Sequence, residues 1–563
     1  QWSTMVFRDY PRDQRYRIST SKLPRDQNCF ICLNEPLTGL DRLPDARHLA
    51  LTPYVTVRSV ATRDGGPSHA MLPGDTSRRE DEIVPSLDLK WRPGADIVVD
   101  ATLNPDFSQV ELDTPQLSGN AQFALFFPEK RPFFLEGADI LEAPFRAIYT
   151  RSVTDPAWGV RATQRSGRFD GTVLVTRDDG GGLVLLPNTY GTGFARQDFK
   201  SVASFVRGRW QVGGATVGWL ATDRSIEGGA YNRVAGPDVV WFPSGEHRLR
   251  AQVLGSWTTA HAVDGRIQRG ELATSHAVLA DWLYRGGAWD QYFNVENVGR
   301  DFRADNGFFF QNGYRRVYSE TTRKFVGAFG LNEVSPYLNA EYKTDPSGSV
   351  QYQQNNLGLR VVLPRATTVF TEARLNNLVA VRDGGGLRKR DQFFIGIESN
   401  PFPWFAKLYS EVAWGDRVDV LNNRVGKGHF YSVQANLRPQ PRAEVEYRID
   451  NDTIDAREPV AGSNRILRQR VQQLLGIWHF TARDSLRTIW QATSTRRAPS
   501  LWEEAVSARD NSETISVVYG HRRGLGATFY LGANFARFRD PDAAVRTYQA
   551  EIFAKGSWTF DVL

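Results

Sequence analysis

The end of the chain alternates apolar and polar side chains, and this pattern recurs through most of the sequence. One alternate set from residue 548 onward is Tyr548, Ala550, Ile552, Ala554, Gly556, Trp558, Phe560 and Val562, and the other set is Gln549, Glu551, Phe553, Lys555, Ser557, Thr559 and Asp561. Successive side chains of a strand point to opposite faces, so one face here suits lipid and the other suits water. The same alternation at 249–258, 431–438 and 444–450 favours an outer-membrane β-barrel, whose closed sheet exposes no backbone edge to hydrocarbon.

Composition agrees with this interpretation. The 563 residues are 41% hydrophobic, with a mean hydropathy of -0.42. No run of about 18 apolar residues is present, which excludes an α-helical membrane protein. The net charge of +6 comes from basic residues dispersed along the chain, so nucleic acid is not an expected partner. The expected surroundings are instead outer-membrane lipid and lipopolysaccharide.

Short turns rich in Gly and Pro recur at a spacing of about 40 residues in the second half of the chain, which fits two strands, one tight turn and one longer loop. The fold class that we predict is therefore all-β, a large transmembrane antiparallel barrel of about 24–26 strands. Tight turns and both ends of the chain should face the periplasm. We expect the barrel to span residues 47–563.

Residues 1–46 form a separate N-terminal segment, with room for an extra hairpin near residues 2–20. The two cysteines of the chain, Cys29 and Cys32, lie in this segment in a C-x-x-C spacing. The spacing permits a redox or metal site, but zinc needs two further ligands and no His pair lies nearby. We expect a small structural disulfide formed in an oxidising compartment.

Residues 104–145 interrupt the barrel pattern and predict a plug-like segment inside the lumen. Two prolines, Pro128 and Pro132, prevent a regular strand or helix across a stretch that is too apolar for a solvated loop. Its aromatic side chains need burial, which a lumen with aromatic patches provides. Its charges need partners, so we expect Glu129, Lys130, Arg131 and Glu136 to form ion pairs with lumen-facing side chains of the strands. The candidate site residues of this segment are Asp106, Phe107, Glu111, Phe126, Phe127, Glu129, Lys130, Arg131, Phe133, Phe134 and Glu136.

Two motifs in this segment carry a family resemblance. The stretch N-P-D-F-S-Q-V-E at 104–111, followed by F-F-P-E-K-R-P-F-F-L-E-G at 126–137, resembles the domain of unknown function 5916 family. The resemblance extends to D-L-K-W at 88–91 and Y-T-R at 149–151. It implies an outer-membrane barrel, usually preceded by a carbohydrate-binding-like family 9 β-sandwich that this sequence does not contain. The family carries no established activity, so the resemblance supports fold and location more than function.

Few residues point to catalysis, cofactors or metals. Glu129 and Glu136 have the residue types of a paired-carboxylate glycosidase site, but salt-bridged plug carboxylates fit the pattern better. Acidic Gly-rich stretches such as 178–182 and 382–386 are typical of hairpin turns, with calcium binding as the alternative. We therefore expect no enzyme activity, no catalytic or metal-binding residues and no cofactor.

Two functional hypotheses follow from a wide barrel with a charged lumen. In the first, the barrel passes or gates a substrate across the outer membrane. In the second, it is permanently plugged and serves as an anchor or scaffold for a surface or periplasmic protein partner. The sequence does not identify the substrate.

Overall fold

The computed structural model describes residues 47–65, 76–108, 110–460, 463–523, 526–540, 542 and 545–562, with the backbone of Val6–Phe7 and Arg17–Ile18. Its main feature is a closed antiparallel barrel of 24 strands, in which each strand pairs with its sequence neighbour and the last pairs with the first. The predicted fold class is confirmed, with a strand number at the lower end of the predicted range. The strands are β1 (His48–Gly65), β2 (Thr76–Arg92), β3 (Ile97–Leu103), β4 (Pro156–Ser166), β5 (Phe169–Asp178), β6 (Ser201–Val212), β7 (Ala215–Ile226), β8 (Tyr231–Trp241), β9 (His247–Val263), β10 (Arg266–Arg285), β11 (Trp289–Val298), β12 (Tyr314–Arg323), β13 (Glu333–Thr344), β14 (Val350–Leu363), β15 (Thr367–Arg374), β16 (Gln392–Ser399), β17 (Phe405–Asp419), β18 (Arg424–Gln440), β19 (Ala443–Val460), β20 (Ser463–His479), β21 (Asp484–Arg497), β22 (Arg509–Arg523), β23 (Ala527–Asp540) and β24 (Val545–Trp558).

The two faces of the wall follow the alternation in the sequence. On β24, Ile552 is 63% exposed and Trp558 is 50% exposed, whereas Phe553 and Lys555 of the opposite face are buried. The exposed set continues past the strand to Phe560. A belt of large apolar side chains on the outer face is what contact with the bilayer requires.

The connections differ between the two ends of the barrel. One end carries short turns at 93–96, 167–168, 213–214 and 441–442, and the other carries the longer connections 104–155, 179–200, 299–313, 375–391 and 498–508. By the usual orientation of such barrels, the short turns face the periplasm and the long connections start from the outer side. The first strand begins and the last strand ends on the short-turn side.

Helices and short strands are confined to the connections. The two α-helices, α1 (Pro132–Leu135) and α2 (Ala138–Leu141), have four residues each, and Pro132 occupies the first turn of α1, where its missing N–H is tolerated. No helix within the described residues is long and apolar enough to cross a membrane. The remaining elements are 3-10 turns at Thr150–Ser152, Ala328–Gly330 and Pro499–Leu501, and short strands at Leu183–Pro187, Thr192–Arg196, Phe325–Val326, Leu378–Val379, Arg388–Lys389 and Phe560–Asp561.

The N-terminal segment contributes no strand to the closed sheet within the part described. Val6–Phe7 pairs with Arg17–Ile18 in a sheet of its own. Cys29 and Cys32 lie outside the described residues, so the predicted disulfide stays a prediction.

Candidate functional site

The connection between β3 and β4, residues 104–155, contains the whole plug-like segment and is called the lumen connection below. It bonds to strands on several sides of the closed sheet. Near its start, Thr56 of β1 and Lys555 of β24 both donate to the Asp106 carboxylate, at 2.8 Å and 3.5 Å. Farther along, the backbone N–H of Ser118 donates to Gln469 of β20 at 2.8 Å. These strands lie at different places around one closed wall. A single connection can reach all of them only by passing through the interior of the barrel.

A second contact, on β9, agrees with this path. The backbone N–H of Phe145 donates to the side-chain oxygen of Gln252 at 2.6 Å. Gln252 lies on the inward face of β9 and is 1% exposed.

Glu129 and Arg131 form the central ion pair of the lumen connection. The guanidinium donates to both carboxylate oxygens, Nε to Oε1 at 2.9 Å and Nη2 to Oε2 at 2.8 Å. It also donates to the carbonyl oxygens of Thr150 and Val153 at 2.9 Å and 2.8 Å, which joins the two halves of the lumen connection. Our expectation that these two residues pair with wall side chains was wrong, because each is the other's partner.

Burial and charge act in opposite directions on this carboxylate. Burial acts to raise the pKa of the Glu129 carboxyl, but the hydrogen bonds and the charge of Arg131 outweigh it and hold that pKa below its ordinary value. The hydroxyl of Thr150 adds a donor at 2.7 Å. Glu129 is therefore fixed in its ionised form and does not act as a proton donor.

The adjacent aromatic residues are held by packing. Phe134 is 1% exposed and packs against Val153 and against Leu174 of β5, with Phe107 at the edge of the same cluster. The ring of Phe133 meets that of Phe134 edge-on, with a centroid distance of 5.1 Å. Such edge-to-face pairs stabilise by about 0.5–1.5 kcal/mol beyond the burial of area.

Glu136, like Asp106, is a predicted site residue that pairs with the wall. Lys90 of β2 donates to its carboxylate, and Arg161 of β4 lies 3.8 Å away. Arg161 itself is 1% exposed, pairs with Asp100 at 2.9 Å and donates to the carbonyl oxygen of Phe133 at 2.6 Å. These contacts attach α1 to the strands on either side of the lumen connection.

The remaining predicted residues lie in the interior. Lys130 donates to the carbonyl oxygen of Leu112 at 2.9 Å. Phe126 lies beneath the guanidinium of Arg146, and the carbonyl oxygen of Phe127 accepts a hydrogen bond from the Tyr149 hydroxyl at 2.7 Å. Glu111 is half-buried near the start of the lumen connection.

A second connection, residues 299–313 between β11 and β12, also folds inward, and our sequence reasoning missed it. Residues 302–309 and 311–313 are buried. The backbone N–H groups of Tyr149 and Phe308 donate to the carbonyl oxygens of Asn306 and Arg146, both at 2.8 Å, and so join the two connections. Gly307 lies at this junction, where a Cβ atom would come within 2.9 Å of two carbonyl oxygens. The run of three phenylalanines at 308–310, flanked by Asn and Gly, carried the same signal as the plug-like segment: apolar bulk without alternation.

Three cavities separate the two inward-folded connections from the wall on the side of β12–β20. Cavity A, of about 440 Å³, lies beside Arg316; cavity B, of about 310 Å³, lies beside Tyr352; and cavity C, of about 420 Å³, lies beside Arg417. Cavities A and B share Lys343, and cavities B and C share Arg390. The three spaces therefore follow one another along the wall.

A closed sheet with an apolar outer belt and a polar, occupied interior defines a transmembrane β-barrel of the outer membrane. Residues 46–164 match the family model described as Domain of unknown function (DUF5916), a range that includes β1–β3, the lumen connection and most of β4. The family resemblance seen in the sequence is confirmed over this range.

Comparison with known proteins adds distant likenesses. No curated protein matches the chain in sequence. Among solved structures, the chain is similar to the FrpB iron transporter from Neisseria meningitidis (F3-3 variant), at 11% identity, 72% of this chain, 79% of that chain and a TM-score of 0.43. It is also similar to a mutant of the ferric enterobactin receptor PfeA from Pseudomonas aeruginosa, at 7% identity, with 90% of this chain and 80% of that chain covered and a TM-score of 0.44. A third similar structure is OpdQ from the same organism, at 8% identity, with 91% of this chain and 98% of that chain covered and a TM-score of 0.28.

Proposed function

We propose that the protein passes or gates a substrate across the outer membrane through its lumen. The observation that carries this proposal is the row of cavities A, B and C between the inward-folded connections and the wall. A barrel that serves only as an anchor gains nothing from open, charged space in its interior, because unfilled space forfeits packing contacts. A path for a polar solute requires such space.

The junction between the two inward-folded connections is the part suited to move. The rings of Phe126 and Phe308 meet edge-on at 5.2 Å, and those of Phe123 and Phe310 at 5.4 Å. Aromatic edges and a few backbone hydrogen bonds hold this junction, whereas the ion pairs of Glu136 and Asp139 hold the lumen connection to β2 and β4. Separation of the lumen connection from 299–313 would join the cavities without unfolding the wall.

A permanently plugged anchor is the alternative, and the ion pairs of the lumen connection favour it. Arg165 of β4 binds Asp139 at 2.6 Å, and Lys90 and Arg161 engage Glu136. Each such contact resists displacement. In this case the protein partner and the surrounding lipid and lipopolysaccharide, not a solute, define the role.

Solute flux through the unmodified barrel separates the two functions. We expect proteoliposomes containing the full chain to release small solutes, and planar bilayers to show gated openings. A Ser118→Cys, Gln469→Cys pair, made with both native cysteines changed to serine, should lose this flux when a short bismaleimide joins the two thiols. Each single-cysteine variant, treated in the same way, should retain it.

Deletion of the lumen connection provides the reference for an open lumen. Leu103 pairs directly with Trp158, so replacing residues 105–154 by a short Gly-Ser linker keeps the β3–β4 ladder. This variant should form a large, steady pore whichever function is correct. If it opens while the unmodified barrel conducts nothing under any condition, the transport proposal fails and the anchor stands.

The proposed role requires no chemical reaction. Glu129 and Glu136, considered above as a paired-carboxylate site, are each engaged by arginine or lysine side chains. We therefore propose that the protein is not an enzyme.

A further inference from the structure

Arg390, in the connection between β15 and β16, is a cation without an acidic partner among the described residues. One of its terminal nitrogens donates to the hydroxyl of Tyr352 at 2.9 Å. Its Nε is buried and has no hydrogen-bond partner in the described part of the chain, and the charged groups that act on it most strongly are Arg374 and Arg417 rather than any carboxylate. A buried charge in this situation is costly unless something else neutralises it.

The carboxylates around Arg390 already have donors. In cavity C, Arg417 binds Asp452 at 2.6 Å, and the hydroxyl of Tyr409 donates to Glu411. The neighbouring Arg374 binds Glu372 at 2.5 Å. Three arginines line cavity C against the two carboxylates Glu411 and Asp452, and Arg390 is the one of the three with no ion pair among the described residues.

The electrostatic surroundings of Arg390 are those of a cation cluster. Burial lowers the pKa of the Arg390 guanidinium, and the charges of Arg374 and Arg417 act in the same direction. An anion placed among these three groups would relieve their mutual repulsion.

The same surplus extends along the row of cavities. In cavity A, Arg146 lies over the ring of Phe126 at 4.0 Å and has no ion pair among the residues that the structure describes. Both carboxylates of that cavity, Glu296 and Glu341, are bound by Arg316 at 3.1 Å and 2.7 Å. Paired acids and surplus cations favour an anion at each end of the row.

We propose that cavity C binds a small organic anion, with its carboxylate or phosphate group against Arg390 and its apolar part against Phe394 and Phe430. Guanidinium groups bind planar oxyanions through parallel N–H donors, which makes an arginine suited to this task. The two aromatic side chains line the same cavity, whose volume of about 420 Å³ admits an aromatic acid. This inference rests on the proposed function for its biological role, and it names the substrate class of that transport. Binding of the anion can be measured without any transport.

Binding of benzoate to the full chain in detergent, followed by titration calorimetry, tests the inference. Benzyl alcohol is the neutral probe of the same shape, and benzylamine is the cationic one. We expect benzoate to bind at least about tenfold more tightly than either, a difference of about 1.4 kcal/mol. This selectivity of the unmodified protein does not depend on any variant. Equal binding of the three probes, or none, would overturn the inference.

Variants then locate the site. Arg390→Gln should raise the Kd for benzoate about tenfold or more, and Arg390→Lys should restore part of the affinity. Arg233→Gln, which removes an arginine that is 55% exposed and paired with Asp223, is the matched control and should leave the Kd unchanged. Folding of each variant is checked by its heat-dependent shift in gel migration. If Arg390→Gln folds and binds benzoate as the unmodified protein does, the site is not at Arg390.

Flux in proteoliposomes distinguishes this inference from the proposed function. Benzoate binding that depends on Arg390, without any flux, would retain the anion site and refute transport. Flux that does not differ between benzoate and benzylamine would retain transport and refute the anion preference. We expect benzoate to pass faster and Arg390→Gln to remove the difference.

Discussion

Replacing Arg131 by alanine should loosen the lumen connection while leaving the barrel wall closed. The Arg131 side chain is 10% exposed, and its guanidinium binds both oxygens of Glu129 and the carbonyl oxygens of Thr150 and Val153. Removing one partner of a buried ion pair costs about 3–5 kcal/mol, because the remaining charge stays buried without compensation. Since Arg131 makes no ion pair with the described wall, this cost falls on the lumen connection.

Amide hydrogen exchange measures that local cost. The N–H of Phe134 donates to the carbonyl oxygen of Arg131, and that of Val153 donates to Thr150, both at 3.0 Å. A loss of about 3–5 kcal/mol should accelerate exchange at these amides by about two to four orders of magnitude. Amides in the middle of β18 should keep their rates.

Three further variants control this experiment. Arg131→Lys keeps the charge but loses the two-pronged geometry, so its effect should be smaller. Adding Glu129→Gln to Arg131→Ala should recover part of the loss, because it removes the uncompensated carboxylate. Arg233→Ala deletes an exposed pair and should cost at most about 1 kcal/mol. Unchanged exchange at Phe134 in Arg131→Ala, or equal acceleration throughout the wall, would refute the reasoning.

Three more predictions concern the membrane face, the junction and pH. Ile552→Arg, midway along the apolar face of β24, should cost about 2–4 kcal/mol in bilayer unfolding measurements, and Glu551→Gln on the lumen face should cost much less; the reverse order would mean inverted faces. Gly307→Ala should destabilise the junction by about 1–3 kcal/mol and speed proteolysis of 299–313. Gly287→Ala is the control and should have no effect, because a Cβ atom at that turn would meet open space. Because the pKa of Glu129 is lowered on folding, its contribution to stability is complete above its ordinary pKa of 4.5 and is lost as pH falls through the folded value. The protection of the lumen connection against hydrogen exchange, measured relative to the intrinsic exchange rate at each pH, should thus fall below about pH 4.5. Glu129→Gln should abolish that pH dependence, and a loss of protection on raising the pH would contradict the assignment.

The wall was predictable from sequence because lipid imposes a local rule. Every second residue of a strand must be apolar at bilayer depth, so the faces of β24 follow from the order of residues alone. The turns made the strand number predictable to within one hairpin. The resulting barrel of 24 strands lies at the lower end of the range.

The interior was less predictable because its contacts join residues that are far apart in sequence. The sequence indicated that residues 104–145 carry charges in need of partners, but not which partners. Glu129 and Arg131 are two residues apart in a segment bounded by Pro128 and Pro132, and extended backbone places such side chains on the same side. That local geometry, which we did not consider, favoured a pair within the segment over one with the wall.

The inward fold of 299–313 and the surplus charge at Arg390 have a different origin. Both depend on which strands face each other across the lumen, and no local pattern reports that. An arginine among many gives no sign that it lacks an acid until the positions of all nearby acids are known. The sequence could identify the phenylalanine run at 308–310 as unusual, but not its contact with Phe126.

The carboxylate of Asp106 has a consequence for how the protein assembles. It accepts hydrogen bonds from Thr56 of the first strand and Lys555 of the last, so it bridges the line along which the barrel closes. Until the lumen connection is inside, Lys555 lacks this carboxylate partner. The backbone ladder between β1 and β24 closes the cylinder, and Asp106 adds a side-chain contact across that seam which only a filled interior supplies, so the seam reaches its full stability once the lumen connection is inside.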